Sequence, residues 1–144
     1  MQIKVKKLDE RAILPTQGSE YAAGADLYAL CDENITIEPH ATVMIHTGLA
    51  MEIPEGYAGL IFARSGLASK KGLAPANKVG VIDGDYRGEL IVVLHNHGSA
   101  TQTILHGDRI AQLLIVPVLA PSFTECDYLD NTERAGGGFG STGK

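Results

Sequence analysis

Five short stretches of this 144-residue chain carry side chains that could do chemistry. Asp83 sits in Val81-Ile82-Asp83-Gly84-Asp85-Tyr86, and a carboxylate held beside apolar residues has the raised proton affinity of a general base. The same position also suits the first residue of an Asp-Gly turn, hydrogen-bonded to its own backbone. Asp26 lies in a small, apolar segment, Ala22 to Tyr28, where a carboxylate needs a cation, an arginine or a metal-bound water beside it. Arg64-Ser65-Gly66 opens a short helical pattern, so that free amides, a hydroxyl and a guanidinium converge. That is either an anion site or simple capping by Ser65 with Arg64 in solvent. Gln112 is a polar side chain inside the apolar run Ile110 to Val116. Residues 134–143, with five glycines in ten, could close amides around phosphates, with Arg134 to pair with them and Phe139 to stack.

Two matches in that tail do not carry their usual meaning. Gly138 to Gly143 fits GxGxxG and Gly138 to Lys144 fits GxxxxGK, but both motifs work only between a strand and a following helix. His95 and His97 share one strand face and could supply half a metal site, yet no third ligand is spaced to complete it. They are expected as surface histidines. Cys31 and Cys126 lack CxxC or CxxH company and are expected to be reduced thiols.

The elements that must position these residues are strands. Apolar residues recur at spacing two at Ile3 and Val5, Ile35 and Ile37, Val43 and Ile45, Leu49 to Ile53, and Val79 and Val81. Further β-branched runs cover Leu90 to Leu94 and Ile110 to Val116, separated by turn signals such as Pro54-Glu55-Gly56. Residues 80–90 read as a hairpin: strand, Asp-Gly turn, strand. Asp108 and Arg109 are placed to pair as ions at the entry to the last strand. One helix is expected from Ser65, with Ser65 as its cap, Lys70 and Lys71 in its last turn and Gly72 as its stop. The length implies one all-β domain over residues 1–130, followed by a glycine-rich arm over 131–144 that is disordered or orders on a ligand or another subunit.

Composition narrows the function. Hydrophobic residues are 44% and charged residues 20%, a globular balance. The net charge of −5 argues against a broad nucleic-acid surface, where phosphate neutralisation supplies most of the affinity. A small anionic ligand needs only a local cluster. The apolar run Leu113 to Ala120 is broken by Pro117 and is too short to span a bilayer, so no membrane role is expected. Met1 to Lys7 holds no apolar signal core, which makes cytoplasm the default location.

Taken together and in order, AGADLYA (23–29), ARSGLA (63–68), NKVGVIDGDYRGEL (77–90), GDRIAQLLI (107–115) and RAGGGFGSTG (134–143) resemble the five motifs of the homotrimeric dUTPase family. The resemblance covers nearly the whole chain. It departs at Ala63, where proline is usual, and at Ala135, where glycine is usual.

The resemblance implies a distorted jelly-roll, a β-clip barrel-like fold, assembled as a homotrimer whose sites are shared between chains and closed by a neighbour's arm. It implies hydrolysis of dUTP to dUMP and diphosphate, which limits uracil in DNA and supplies dUMP for dTMP synthesis. Asp83 corresponds to the carboxylate that activates water, and Asp26 to the one gripping Mg2+ through its water shell while the triphosphate carries the ion. Arg64, Ser65, Gly66 and Gln112 match phosphate-binding positions, and Arg134, Gly140, Ser141 and Thr142 match those of the arm. Asn77, Gly80, Val81 and Ile82 match the uracil-reading positions, Tyr86 the residue under the sugar, and Phe139 the one stacking on the base. Two other readings share this pattern: a dCTP deaminase on the same fold, which needs a glutamate near the hairpin where only Glu89 stands, and a non-catalytic nucleotide-binding trimer.

Overall fold

The computed structural model describes residues 1–138. Its elements, in chain order, are β1 (Lys4–Lys7), β2 (Thr16–Gln17), β3 (Ala25–Tyr28), β4 (Ile35–Ile37), β5 (Thr42–Glu52), β6 (Tyr57–Phe62), α1 (Ser65–Lys71), β7 (Leu73–Pro75), β8 (Gly80–Ile82), β9 (Glu89–Asn96), β10 (Gln102–Ile104) and β11 (Arg109–Pro117). All strand pairs are antiparallel. They form sheets of order β1-β5-β9-β7 and β2-β3-β11-β6-β8, with a two-stranded β10-β4 ribbon; this is the all-β domain the strand periodicity calls for, in the jelly-roll form the resemblance implies.

Side-chain alternation decides which face is core. In β9 every second residue, from Leu90 through Val92 and Leu94 to Asn96, is buried, as a half-covered strand requires. These side chains meet Leu27, Ile37, Ile45, Leu73, Ile104 and Ile110, all essentially inaccessible. Burying each such side chain stabilises the fold by about 1.5–3 kcal/mol. Asn96 is the polar member of this core; its amide donates to Ile37 O (3.0 Å) and Ala100 O (2.9 Å), and its Oδ1 accepts Gly98 N (2.9 Å), so nothing is left unpaired.

β5 is one long strand where the pattern gives two apolar sets. Its register with β9 shifts between His46 and Ala50, and Gly48 sits in that bulge at φ +68°. A Cβ at Gly48 would stand 2.6 Å from Leu30 Cδ2 and 2.9 Å from Ala12 Cβ. Only glycine satisfies both demands.

Three local expectations are corrected. Residues 80–90 are not a hairpin, because β8 pairs with β6 in one sheet and β9 with β5 and β7 in the other. The intervening turn is wide, held by Tyr86 N donating to Asp83 O (3.1 Å) and by Arg87 Nη1 donating to Gly84 O (2.7 Å) and Tyr86 O (3.0 Å). Such a loop carries the chain between sheets. The cap of α1 is Arg64, at φ −82° and ψ 131°, with no side-chain cap bond; Ser65 is the first helical residue. The extended backbone at Arg64 is set by Gln112 Nε2 bonding Ala63 O (2.8 Å) and by the tether on the Arg64 side chain, not by a serine hydroxyl. The helix stop is as expected, with Gly72 left-handed at φ 67° and its amide on Ala68 O. Asp108 and Arg109 do not pair: Asp108 Oδ2 closes a turn by accepting Leu105 N (2.9 Å), and Arg109 reaches Asp26.

No helix among the described residues is long and apolar enough to cross a membrane. After Pro117, residues 118–138 contain no helix or strand, and Leu119, Phe123, Tyr128 and Leu129 stand almost fully exposed.

Candidate active site

The five-stranded sheet brings one group of predicted residues together. Asp26 on β3 lies in register with Gln112 on β11, which in turn faces Phe62 on β6, and Arg64 follows two residues later. Asp26 is largely buried, and both its oxygens are taken: Oδ1 accepts Arg64 Nε at 2.7 Å and Oδ2 accepts Arg109 Nη1 at 3.2 Å. The partner that a buried carboxylate requires is thus a pair of arginines. Arg64 spends only its Nε on Asp26; its two Nη groups make no hydrogen bond to the described residues. The guanidinium is therefore locked at one end and open at the other.

These side chains line a cleft of about 420 Å³ that also takes in Gly18, Ala22, Gly24, Ser65, Gly66 and Gln112. Gly24 is the residue the sequence did not single out. A Cβ there would lie 2.8 Å from Gln112 Oε1 and 3.1 Å from Leu114 Cδ1, so its glycine is what lets Gln112 stand and hold Ala63. On the other side of Arg64 and Arg109 a second cleft of about 280 Å³ carries Lys70 and Lys71, adding positive charge next to the first. Four cations, Arg64 at the cap of α1, Lys70 and Lys71 in its last turn and Arg109 on β11, against the two carboxylates Asp26 and Asp108, leave these adjoining clefts net positive, which suits an anion whatever the chain's net charge.

A second group stands apart. Gly80, Val81 and Ile82 form β8, the edge strand, which pairs through β6 residues Ile61, Leu60 and Gly59. Its other edge has no strand partner among the described residues, and unpaired strand amides and carbonyls can read a planar hydrogen-bonding ligand. Asn77 precedes it across a left-handed Lys78 (φ 67°) and lies over Gly80, with Nδ2 3.5 Å from where a Cβ would be. Asp83 is exposed, and its carboxylate accepts no hydrogen bond from the described residues. Tyr86 folds over Gly88 and donates its hydroxyl to Glu89 O (3.0 Å).

One chain does not bring the two groups into a single cleft. β8 and β11 are separated by β6, so two strand spacings, roughly 10 Å, lie between them. An open depression of about 600 Å³, lined by Gly24, Phe62, Ala63, Lys78 and Gln112 among others, runs over that stretch. Arg134 is not at either group: its Nε bonds Gly137 O (2.8 Å) in a local turn in which Ala135 takes φ 43°, the conformation glycine would hold at less cost. Phe139, Gly140, Ser141 and Thr142 lie outside the described residues. Glu89, the glutamate a deaminase would need, is engaged with Gly48 N (2.8 Å) and His46 Nδ1 (2.9 Å). His95 and His97 meet edge to face with ring centroids 4.4 Å apart.

Among the described residues no three His, Cys, Asp or Glu side chains gather to hold a metal ion. That donor set does not make a protein cage for magnesium. It does fit a magnesium carried on a polyphosphate, which keeps several waters and asks for one or two carboxylates; each Asp26 oxygen retains a lone pair for such a water.

An all-β protein with an arginine-lined cleft and an open strand edge that ends on an exposed carboxylate is built to bind a small anion that also carries a planar hydrogen-bonding face. The family model for dUTPase matches residues 10–143, and the chain belongs to the dUTPase family. It is 52% identical over 146 residues to the deoxyuridine 5'-triphosphate nucleotidohydrolase of Desulfitobacterium hafniense (strain DSM 10664 / DCB-2), covering 98% of this chain and 97% of that protein. It is 48% identical to the same-named protein of Hydrogenobaculum sp. (strain Y04AAS1), with 99% of each covered. A mutant dUTPase of Staphylococcus bacteriophage 80alpha with dUpNHpp superposes with a TM-score of 0.90 at 30% identity, covering 99% of both chains. A mutant dUTPase from phage phi11 of S. aureus, described with a structural Mg(II) ion, superposes at 0.82 and 29% identity, covering 91% of this chain and all of that one.

Proposed function

We propose that the chain hydrolyses dUTP to dUMP and diphosphate, as a homotrimer in which each site draws on more than one copy. The observation that carries this reading is the separation of an arginine-lined cleft from a free carboxylate on a strand edge. A shared site unites them, with the cleft of one copy facing the β8 edge of another. The domain over 1–130 then supplies both halves, and residues 131–144, with Arg134, Phe139, Gly140, Ser141 and Thr142, reach a neighbouring copy's site.

In the mechanism, Asp83 accepts a hydrogen bond from a water and takes its proton as the water oxygen attacks the α-phosphorus in line. The bond from that phosphorus to the bridging oxygen breaks, and diphosphate leaves. Arg64, already oriented by Asp26, directs its Nη groups at phosphate oxygens, and Ser65, Gly66 and Gln112 complete the cradle. Magnesium, when bound on the triphosphate, supplies neutralisation of charge that spreads over those oxygens. Asp26 would hold such an ion through its water shell.

Selectivity is read at the other half. The β8 edge at Gly80, Val81 and Ile82, with Asn77, offers fixed donors and acceptors that leave buried groups unpaired when cytosine replaces uracil. Rigid backbone excludes the thymine methyl, and Tyr86 excludes the ribose hydroxyl. Cytoplasm is the proposed location, where removal of dUTP limits uracil in DNA and dUMP feeds dTMP synthesis.

The test is parallel incubation with magnesium and dUTP, dCTP, dTTP or UTP, following diphosphate, ammonia and the nucleotide product. Diphosphate and dUMP from dUTP alone is the expected result. Ammonia from dCTP, or dUTP bound without turnover, overturns it.

A further inference from the structure

The wide turn from Asp83 to Gly88 carries both the proposed base and Tyr86, so what anchors it decides how well either is aimed. Among the described residues the Arg87 guanidinium hydrogen-bonds Gly84 O and Tyr86 O, both inside the turn, and makes no hydrogen bond to β5. The anchor is at Glu89. Tyr86 Oη donates to Glu89 O at 3.0 Å, while the carboxylate of the same residue reaches across to β5: Oε1 accepts Gly48 N at 2.8 Å and Oε2 accepts His46 Nδ1 at 2.9 Å. One residue therefore grips the tyrosine with its backbone and the neighbouring strand with its side chain.

The strand end of that grip cannot yield. Gly48 is in the bulge, at φ +68°, with Leu30 and Ala12 packed where a side chain would go. Its carbonyl accepts Leu8 N at 2.7 Å, and Thr47 beside it donates to Leu90 O at 2.6 Å. Burial pushes the Glu89 carboxyl up, but the bonds from His46 and the Gly48 amide outweigh it and hold the group below its ordinary value. It is ionised at neutral pH, and so accepts both bonds at full strength.

We propose that Glu89, locked to the β5 bulge through Gly48 and His46, is a positioning residue for sugar recognition that holds Tyr86 where a 2′-hydroxyl is refused. This rests on the reading of Tyr86 given above. Hydroxyl exclusion is a steric test, and a steric test is only as sharp as its wall is rigid. Tyr86 is 44% exposed and has one side-chain hydrogen bond among the described residues. Glu89 opens β9, where its one pairing, with Ala50, is cut off from the rest of the β5–β9 ladder by the bulge; the carboxylate bonds to His46 and Gly48 bridge that gap and hold the acceptor of the tyrosine bond in place.

The experiment compares kcat/KM for dUTP and for UTP, at matched magnesium, in the intact enzyme and in Glu89→Ala, Glu89→Gln, Tyr86→Phe and Tyr86→Ala, with thermal midpoints alongside. Glu89→Ala is expected to lower the dUTP:UTP ratio by about tenfold, through gain on UTP more than loss on dUTP. Glu89→Gln keeps an oxygen for Gly48 N and recovers most of the ratio. Tyr86→Phe removes only the hydroxyl and with it the bond to Glu89 O, keeps the ring, and lowers the ratio too. An unchanged ratio in Glu89→Ala with a lowered midpoint overturns the proposal, since Glu89 would then only stabilise. If Glu89→Ala does not fold, an unchanged ratio in Tyr86→Phe overturns it equally. An unchanged ratio in Tyr86→Ala refutes the reading of Tyr86 itself, a different failure from the other two.

Discussion

Replacing Arg64 by lysine isolates the geometry of the guanidinium from its charge. Arg64 gives Nε to Asp26 at 2.7 Å and keeps both Nη groups for a ligand, so one side chain serves two carboxylate or phosphate partners at fixed angles. A lysine ammonium is a point charge that cannot reach both with the same directionality. The loss is about one charge-assisted hydrogen bond to phosphate, worth about 1.5–3 kcal/mol, which is roughly a 10- to 150-fold fall in kcat/KM for dUTP. The stability cost is smaller, about 1 kcal/mol, because Arg109 remains on the other Asp26 oxygen at 3.2 Å and Arg64 is partly in solvent. Steady-state kinetics on Arg64→Lys with a thermal melt beside them measure the two effects separately. Activity within threefold of the parent would refute the argument, for the fork would then do nothing that charge alone does not.

Gly24→Ala places a methyl 2.8 Å from Gln112 Oε1 and 3.1 Å from Leu114 Cδ1. It should raise KM for dUTP several-fold and cost about 1–3 kcal/mol of stability, read by kinetics and denaturant titration; an unchanged KM would show that Gln112 does not serve the ligand. The folded Glu89 carboxyl titrates below its ordinary 4.5, so its contribution to stability is complete above that pH and is lost as pH falls through the lower folded value. Glu89→Gln should therefore flatten the acid limb of a stability profile taken by denaturant midpoints below about pH 4.5, and an unaltered limb would contradict the assignment. Removal of residues 134–144 should abolish turnover while light scattering reports an unchanged assembly; full activity in the truncated chain would make the arm dispensable.

Strands whose faces differ are legible in one dimension, and β9 is the clearest, with burial alternating over eight residues as its sequence alternates. β6 is not, because Gly59 breaks the pattern of Tyr57 to Phe62. That glycine is there for contact at a distance: a Cβ would lie 2.9 Å from Ile53 Cδ1 and 3.1 Å from Leu113 Cδ1. Asp26 announces its need for a cation by standing among alanines and glycines, yet which cation answers depends on cross-strand register. Adjacent charges mislead for the same reason, since Asp108 turns to Leu105 N and Arg109 to Asp26. Residues 80–90 carry good hairpin signals, and the strands nonetheless part, since β8 and β9 find their partners in β6 and β5. The anchor at Glu89 was hidden altogether: its two partners lie 41 and 43 residues away.

In the proposed reaction Asp83, exposed and without a side-chain partner among the described residues, activates the water that attacks dUTP. Single-turnover hydrolysis by Asp83→Asn, with dUTP affinity measured on the same preparation, tests it most directly. Unchanged assembly, affinity within a few-fold of the parent, and a chemical step slowed by about two to four orders of magnitude are expected. A near-normal chemical step would contradict it and move the base to another residue.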